Sequence, residues 1–222
     1  MVSRLRGEQP TDLVKKAFNP DDPNQRREGV VGLSEKDWGL KEPYLKGYAA
    51  LLKSDSDLLV RAAAARALGK AGDARYVPEV AAALEDASAA VRWDAAVALD
   101  NIVGPAAVEP LRKHAMDDPS VDVRSSCARA LGRYPRQDVF ETLREGLRDE
   151  DFSVRYQARR SLIALTGQDR GGEPSDWPSD APVAGRPQPP PDRPWWDWMK
   201  VTRRRSDAGE PERVDSPPSP AE

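Results

Sequence analysis

The 222-residue sequence predicts an all-α solenoid of about five helical hairpins, followed by a proline-rich tail. Three observations carry that expectation. A motif centred on Val-Arg recurs at near-constant spacing, the residues around it follow a helical period, and composition changes abruptly near Gly167. The motif places Arg61, Arg92, Arg124 and Arg155 at intervals of 31, 32 and 31 residues. Self-similarity at a fixed period of roughly 20 to 50 residues is the mark of stacked structural repeats, each too small to bury its own apolar face. Each Arg is preceded six residues earlier by an Asp (Asp55, Asp86, Asp118, Asp149) and followed seven residues later by a Leu (Leu68, Leu99, Leu131, Leu162).

The second helix of each hairpin starts from the Val of the motif. Offsets 0, 3, 4, 7 and 8 give Val60, Ala63, Ala64, Ala67 and Leu68 in one repeat and Val123, Ser126, Cys127, Ala130 and Leu131 in another. These lie on one stripe at helical period. Their small size lets helices approach closely, and alanine is the best intrinsic helix former. Asp118 followed by Pro119 reads as an N-cap and first helical residue, with Asp55, Asp86 and Asp149 capping the equivalent helices. Gly69, Gly132 and Gly167 fall where a left-handed residue commonly ends a helix. The first helices are the amphipathic segments 42–53, 76–84, 107–116 and 137–148. A less regular N-terminal repeat is read in Thr11–Glu35, where Arg26-Arg27 and Leu33 fit the motif.

Asp at six residues before Arg, with Ala-x-Ala-Leu-Gly following, recurring over residues 11–167, resembles the short HEAT repeat of bacterial PBS-lyase-like proteins. The resemblance implies a right-handed superhelix whose second helices line a concave face. It also implies that Asp55, Asp86, Asp118 and Asp149 form a structural ladder with Arg61, Arg92, Arg124 and Arg155. On this reading residues 1–10 are a flexible N-terminus, 11–167 the solenoid, and 168–222 a Pro-rich, largely disordered tail.

Function is then sought on the second helices, at positions off the core stripe. Arg66, Trp93, Arg129, Tyr156, Arg159 and Arg160 are the candidate partner-binding residues, set on a floor of small residues that includes Ala62, Ala65, Ala96 and Ala128. Arg and aromatic anchors suit a protein partner presenting an acidic or aromatic segment. The alternative is that Trp93 and Tyr156 merely cover seams between repeats. Residues 1–167 carry 26 basic and 26 acidic side chains, so the body is neutral and no nucleic acid is expected.

No catalytic constellation is present. The single His114 is expected at an exposed helix end, there is no His/Cys cluster with metal spacing, and "GKAGD" at Gly69 lacks a phosphate-loop context. HEAT-repeat hydroxylases carry repeated His-Glu pairs, and this sequence has none. The expectation is a non-enzymatic, cytoplasmic, monomeric scaffold without metal or cofactor. The resemblance leaves a second reading, an accessory or lyase-like factor acting on a chromoprotein, because bilin lyases use this repeat class, and behind it a third, nucleic-acid binding. Cys127 is read as a buried filler.

Of 21 prolines, 12 lie beyond Gly167. "LTGQDRGGEPSDW" resembles the closing segment of bacterial HEAT-repeat proteins, where a Trp-containing helix packs on the last repeat. Further on, "RPWWDWMKVTRRR" concentrates Trp195, Trp196, Trp198 and Met199 beside basic residues. Four readings stand for that island: a remnant of the cap, docking on the solenoid, docking on a partner, or peripheral contact with an anionic membrane.

Overall fold

The computed structural model describes residues 10–179 and 183. Among them ten α-helices pair into five hairpins. They are α1 (Pro10–Ala17) with α2 (Pro23–Ser34), α3 (Tyr44–Ser54) with α4 (Leu58–Ala71), α5 (Val77–Ala82) with α6 (Ala89–Asn101), α7 (Val108–Asp117) with α8 (Val121–Leu131), and α9 (Gln137–Gly146) with α10 (Phe152–Thr166). The even-numbered helices pack side by side in chain order from α2 to α10, and α3, α5, α7 and α9 form the other layer. One apolar core runs between the layers from Leu13 to Trp177.

Small residues set the spacing. Val60, Ala63, Ala64, Ala67 and Leu68 are all buried, as are Val123, Ser126, Cys127, Ala130 and Leu131. Gly69 does not end α4 but lies inside it, where a Cβ would stand 2.7 Å from Cα of Ala98 on α6. The helix runs on to Ala71 and stops at Gly72, whose φ of 71° is left-handed. Gly132 keeps a right-handed φ of −59°, so of the three glycines expected to end helices only Gly167, at φ 74°, does so by left-handed conformation.

The repeated Asp residues are not N-caps. Asp55, Asp86 and Asp118 follow the first helices or their closing turns, and each accepts the N–H two residues on. Capping falls to other side chains. Asp57 accepts from the Leu59 and Val60 N–H groups at 2.8 and 3.1 Å, and Asp151 accepts from Ser153 at 2.7 Å. The Asp carboxylate is thereby freed to face the neighbouring repeat. The first helix expected over 76–84 is broken: α5 has six residues, flanked by 3-10 turns at Ala74–Tyr76 and Ala83–Glu85.

Packing continues past the composition break at Gly167. A 3-10 turn at Pro174–Asp176 delivers Trp177 into the last hairpin, fully buried. Its ring meets Phe140 edge-on at 6.5 Å, and its Nε1 donates to the Gly171 carbonyl at 3.1 Å. Gln137 Nε2 donates to the Ser179 carbonyl at 2.6 Å. Trp195, Trp196, Trp198 and Met199 lie outside the described residues, as do residues 1–9. Among the described residues no helix is long and apolar enough to cross a membrane.

Candidate functional site

The Arg–Asp series ties each hairpin to the next. Arg26 Nε and Nη2 donate to Asp55 at 2.7 and 2.9 Å, Arg61 to Asp86 at 2.7 and 2.9 Å, Arg92 to Asp118 at 2.8 and 2.9 Å, and Arg124 to Asp149 at 2.8 and 3.1 Å. In each rung Nη1 turns back to a carbonyl of its own repeat, such as Asp86 for Arg92 and Asp118 for Arg124. The forked, always-charged guanidinium suits this three-way task. Burial alone pushes the Asp55, Asp86 and Asp118 carboxyls up. The guanidinium and backbone hydrogen bonds outweigh it and hold each below the usual carboxylate range. Arg155 shares the register, and its Nη1 donates to the Asp149 and Glu150 carbonyls, with no carboxylate partner among the described residues. These side chains build the scaffold and present the second-helix face.

On that face the candidate residues fall into two groups. Arg66, Arg129 and Arg159 are engaged in ion pairs, with Asp94 at 2.6 Å, Asp100 at 3.1 Å and Asp169 at 2.7 Å. The first two join neighbouring repeats, as Lys70–Glu35 does between α4 and α2. Trp93 on α6 and Tyr156 on α10 are exposed, at 41% and 47% of their surface. Arg160 lies over the Tyr156 ring at 5.8 Å and forms no ion pair among the described residues. The expected floor of small residues is absent from this face. Ala62, Ala65, Ala96 and Ala128 are buried, because α4, α6 and α8 each pack against an even-numbered neighbour on either side as well as their own first helix.

Three further groups escape simple sequence reading. Asp94 occupies a core-stripe position filled by Ala63 and Ser126 in other repeats, and it is 2% exposed. Its Oδ1 has no partner among the described residues, and burial, only partly opposed by Arg66, raises its carboxyl above the usual range. His114 is buried, not at an exposed helix end. Its Nδ1 lies 2.9 Å from Asp118 and its Nε2 3.2 Å from Glu85, so it braces a ladder rung. Cys127 is fully buried, and burial pushes its thiol up, which keeps it protonated and unreactive.

The description "HEAT repeats" fits residues 45–120 and 108–174, more than half of the chain. The chain belongs to the HEAT-repeat family. This HEAT-repeat protein is 31% identical over 160 residues to the uncharacterized phycocyanin operon protein Z of Pseudanabaena tenuis (strain PCC 7409), covering 67% of this chain and 75% of that protein. Its fold is similar to the complex of CpcE and CpcF of phycocyanin lyase from Nostoc sp. PCC7120, at a TM-score of 0.64 and 22% identity over 76% of this chain and 69% of that one. A designed armadillo repeat protein in complex with a (KR)4 peptide is similar at a TM-score of 0.55 and 20% identity, covering 71% and 81%.

The HEAT-repeat protein is thus a helical-repeat module of the kind that binds other proteins. The expectation that it is not an enzyme does not stand. It rested on missing catalytic motifs, and the likeness to the lyase chains, with the phycocyanin-operon relative, overturns it. Fold alone does not decide activity in either direction, so absence of a motif is no argument against it.

Proposed function

We propose that this HEAT-repeat protein is a lyase-like factor that acts on a chromophore-bearing protein of the phycobiliprotein class, held against the second-helix face. The observation that supports this most directly is the composition of what that face leaves open. Most of its charges are neutralised between repeats, and what remains is Trp93, Tyr156 and the Arg160 guanidinium. A linear tetrapyrrole is a flat conjugated system with carboxylate side chains. Exposed aromatic rings stack with such a system, and a guanidinium pairs with its carboxylates.

The chain's own contribution is binding and orientation. Its one thiol, Cys127, is buried and protonated, so any cysteine that bonds to the chromophore belongs to the client protein. Holding two reactants in register is itself a large rate effect. The relative's name and the lyase chains of similar fold point to the same class of client.

The test is chromophore transfer. The full chain is mixed with an apo-phycobiliprotein subunit and a free linear tetrapyrrole, and the covalent adduct is followed by its visible band after denaturation. The reading expects faster, cleaner adduct formation with the full chain, and a loss of about tenfold in Trp93→Ala and in Arg160→Ala. Adduct formation at the spontaneous rate would overturn it.

A further inference from the structure

Asp94 stands where the repeated motif puts Ala63, Ser126 and Gln157 in the other repeats. Its side chain is 3% exposed, and its Oδ1 has no partner among the described residues. Its Oδ2 accepts from Nη1 of Arg66 at 2.6 Å, a single contact that crosses from α4 to α6. The Arg66 side chain is 50% exposed. The pair therefore joins a dry carboxyl to a guanidinium that reaches the surface.

The other arginine pairs are built differently. Arg61, Arg92 and Arg159 each set two guanidinium nitrogens against two carboxylate oxygens, and their partners Asp86, Asp118 and Asp169 are held below the usual carboxylate range. At Asp94 burial raises the carboxyl, and the charge and hydrogen bond of Arg66 oppose this only in part. The remaining charges on the elements packed against α6 are turned to other partners or to the surface. On α4, Arg61 pairs with Asp86 and Lys70 with Glu35, and on α8, Arg124 pairs with Asp149 and Arg129 with Asp100. Glu85 of the turn before α6 holds Lys113 and His114, Glu79 of α5 and Asp122 of α8 are exposed, and Arg92 on α6 itself holds Asp118. The Cys127 thiol of α8 is pushed up by burial and carries no charge.

We infer that Arg66 receives a carboxylate of the bound chromophore by exchanging partners, with Asp94 taking up a proton as the guanidinium leaves it. This rests on the chromoprotein reading and deepens it. Asp94 adjoins Trp93 in the chain, which places Arg66 at the Trp93 end of the second-helix face. Before the exchange Arg66 faces a buried carboxylate through one nitrogen; after it, Arg66 faces the ligand's carboxylate at the surface and Asp94 is a neutral acid. One proton enters from solvent, one O–H bond forms on Asp94, and no covalent bond breaks. A guanidinium makes two parallel hydrogen bonds to a carboxylate that is free to align with it, and a buried carboxyl is better tolerated neutral than charged. Arg66 is thus a binding residue, and Asp94 is a positioning residue that couples binding to pH.

The test follows binding of biliverdin to the full chain by its induced visible circular dichroism between about pH 6 and about pH 8, where binding coupled to proton uptake strengthens as pH falls. Wild type is expected to bind several-fold more tightly per unit of falling pH. Asp94→Asn, which keeps the shape and cannot take the proton, is expected to lose that slope, and so is Asp94→Ser. Arg66→Ala is expected to bind biliverdin about tenfold more weakly and to bind its dimethyl ester, which has no free carboxylate, as wild type does. A flat wild-type profile, or a slope that persists in both Asp94 variants, would overturn the exchange and leave the chromoprotein reading standing. So would an Arg66→Ala variant that holds biliverdin as tightly as wild type, or that loses acid and ester alike. A wild-type chain that induces no band would overturn both.

Discussion

Replacing Arg92 by Ala removes one interior rung, and its consequence can be worked from the geometry. The pair is nearly dry, with the Arg92 side chain 11% exposed and that of Asp118 0%. Breaking a buried pair by deleting one partner costs about 3–5 kcal/mol, because the surviving charge is left desolvated. Asp118 keeps the Ser120 N–H at 2.9 Å and His114 at 2.9 Å, which places the loss near the lower end, about 3 kcal/mol. For a body of this size that is a fall in Tm of about 6–12 °C. Arg155→Ala is the matched control, with the same residue type in the same register and no carboxylate partner among the described residues. It gives up two carbonyl hydrogen bonds at a partly exposed site, about 1 kcal/mol and under about 4 °C. The sign with pH follows from the depressed Asp118 carboxyl. Its stabilisation is present above the unfolded carboxylate pKa and is lost as pH falls through the folded value. The Tm gap between wild type and Arg92→Ala therefore narrows in acid. Calorimetry at pH 7 and in acid provides the assay. Equal Tm losses for the two variants, or a gap that widens in acid, would refute the ladder account.

Three other outcomes are expected. Asp94→Ser, which installs the residue that Ser126 supplies in the next repeat, removes a buried carboxyl with one unsatisfied oxygen and raises Tm by about 2–6 °C. Because the folded carboxyl is raised, wild type loses stability as pH rises from the unfolded toward the folded value, so the variant's advantage grows over that interval; thermal melts across pH 3–7, roughly, would show it. Gly69→Ala forces a Cβ to within 2.7 Å of Ala98 and costs about 1–3 kcal/mol, read by urea unfolding. Trp177→Ala empties the closing contact on Phe140 and costs about 3–5 kcal/mol, with Trp177→Phe retaining part of it in the same assay.

The repeat was legible because its determinants are local and periodic. Val60, Val91, Val123 and Val154 begin helices whose small residues face inward, and a fixed period exposes them without knowledge of the fold. The role of Asp118 was not legible in the same way. Asp-Pro fits a helix cap as well as an inter-repeat acceptor, and only the position of Arg92 decides between them. Ala96 and Ala128 follow the same logic. Their spacing puts them off the core stripe, but side-by-side packing of the even-numbered helices buries that flank too. Arg66, the partner of Asp94, lies 28 residues away, and Glu85, one of the two partners of His114, lies 29 away, so spacing within one helix carries no trace of those contacts.

The central functional claim is that the Trp93 region of the second-helix face receives a linear tetrapyrrole. The most direct measurement is visible circular dichroism of biliverdin titrated with the full chain, since an achirally averaged chromophore acquires a signal only when it is held. The account predicts a saturable induced band that Trp93→Ala weakens by about tenfold. A chain that induces no band, or one whose band is the same in Trp93→Ala, would contradict it.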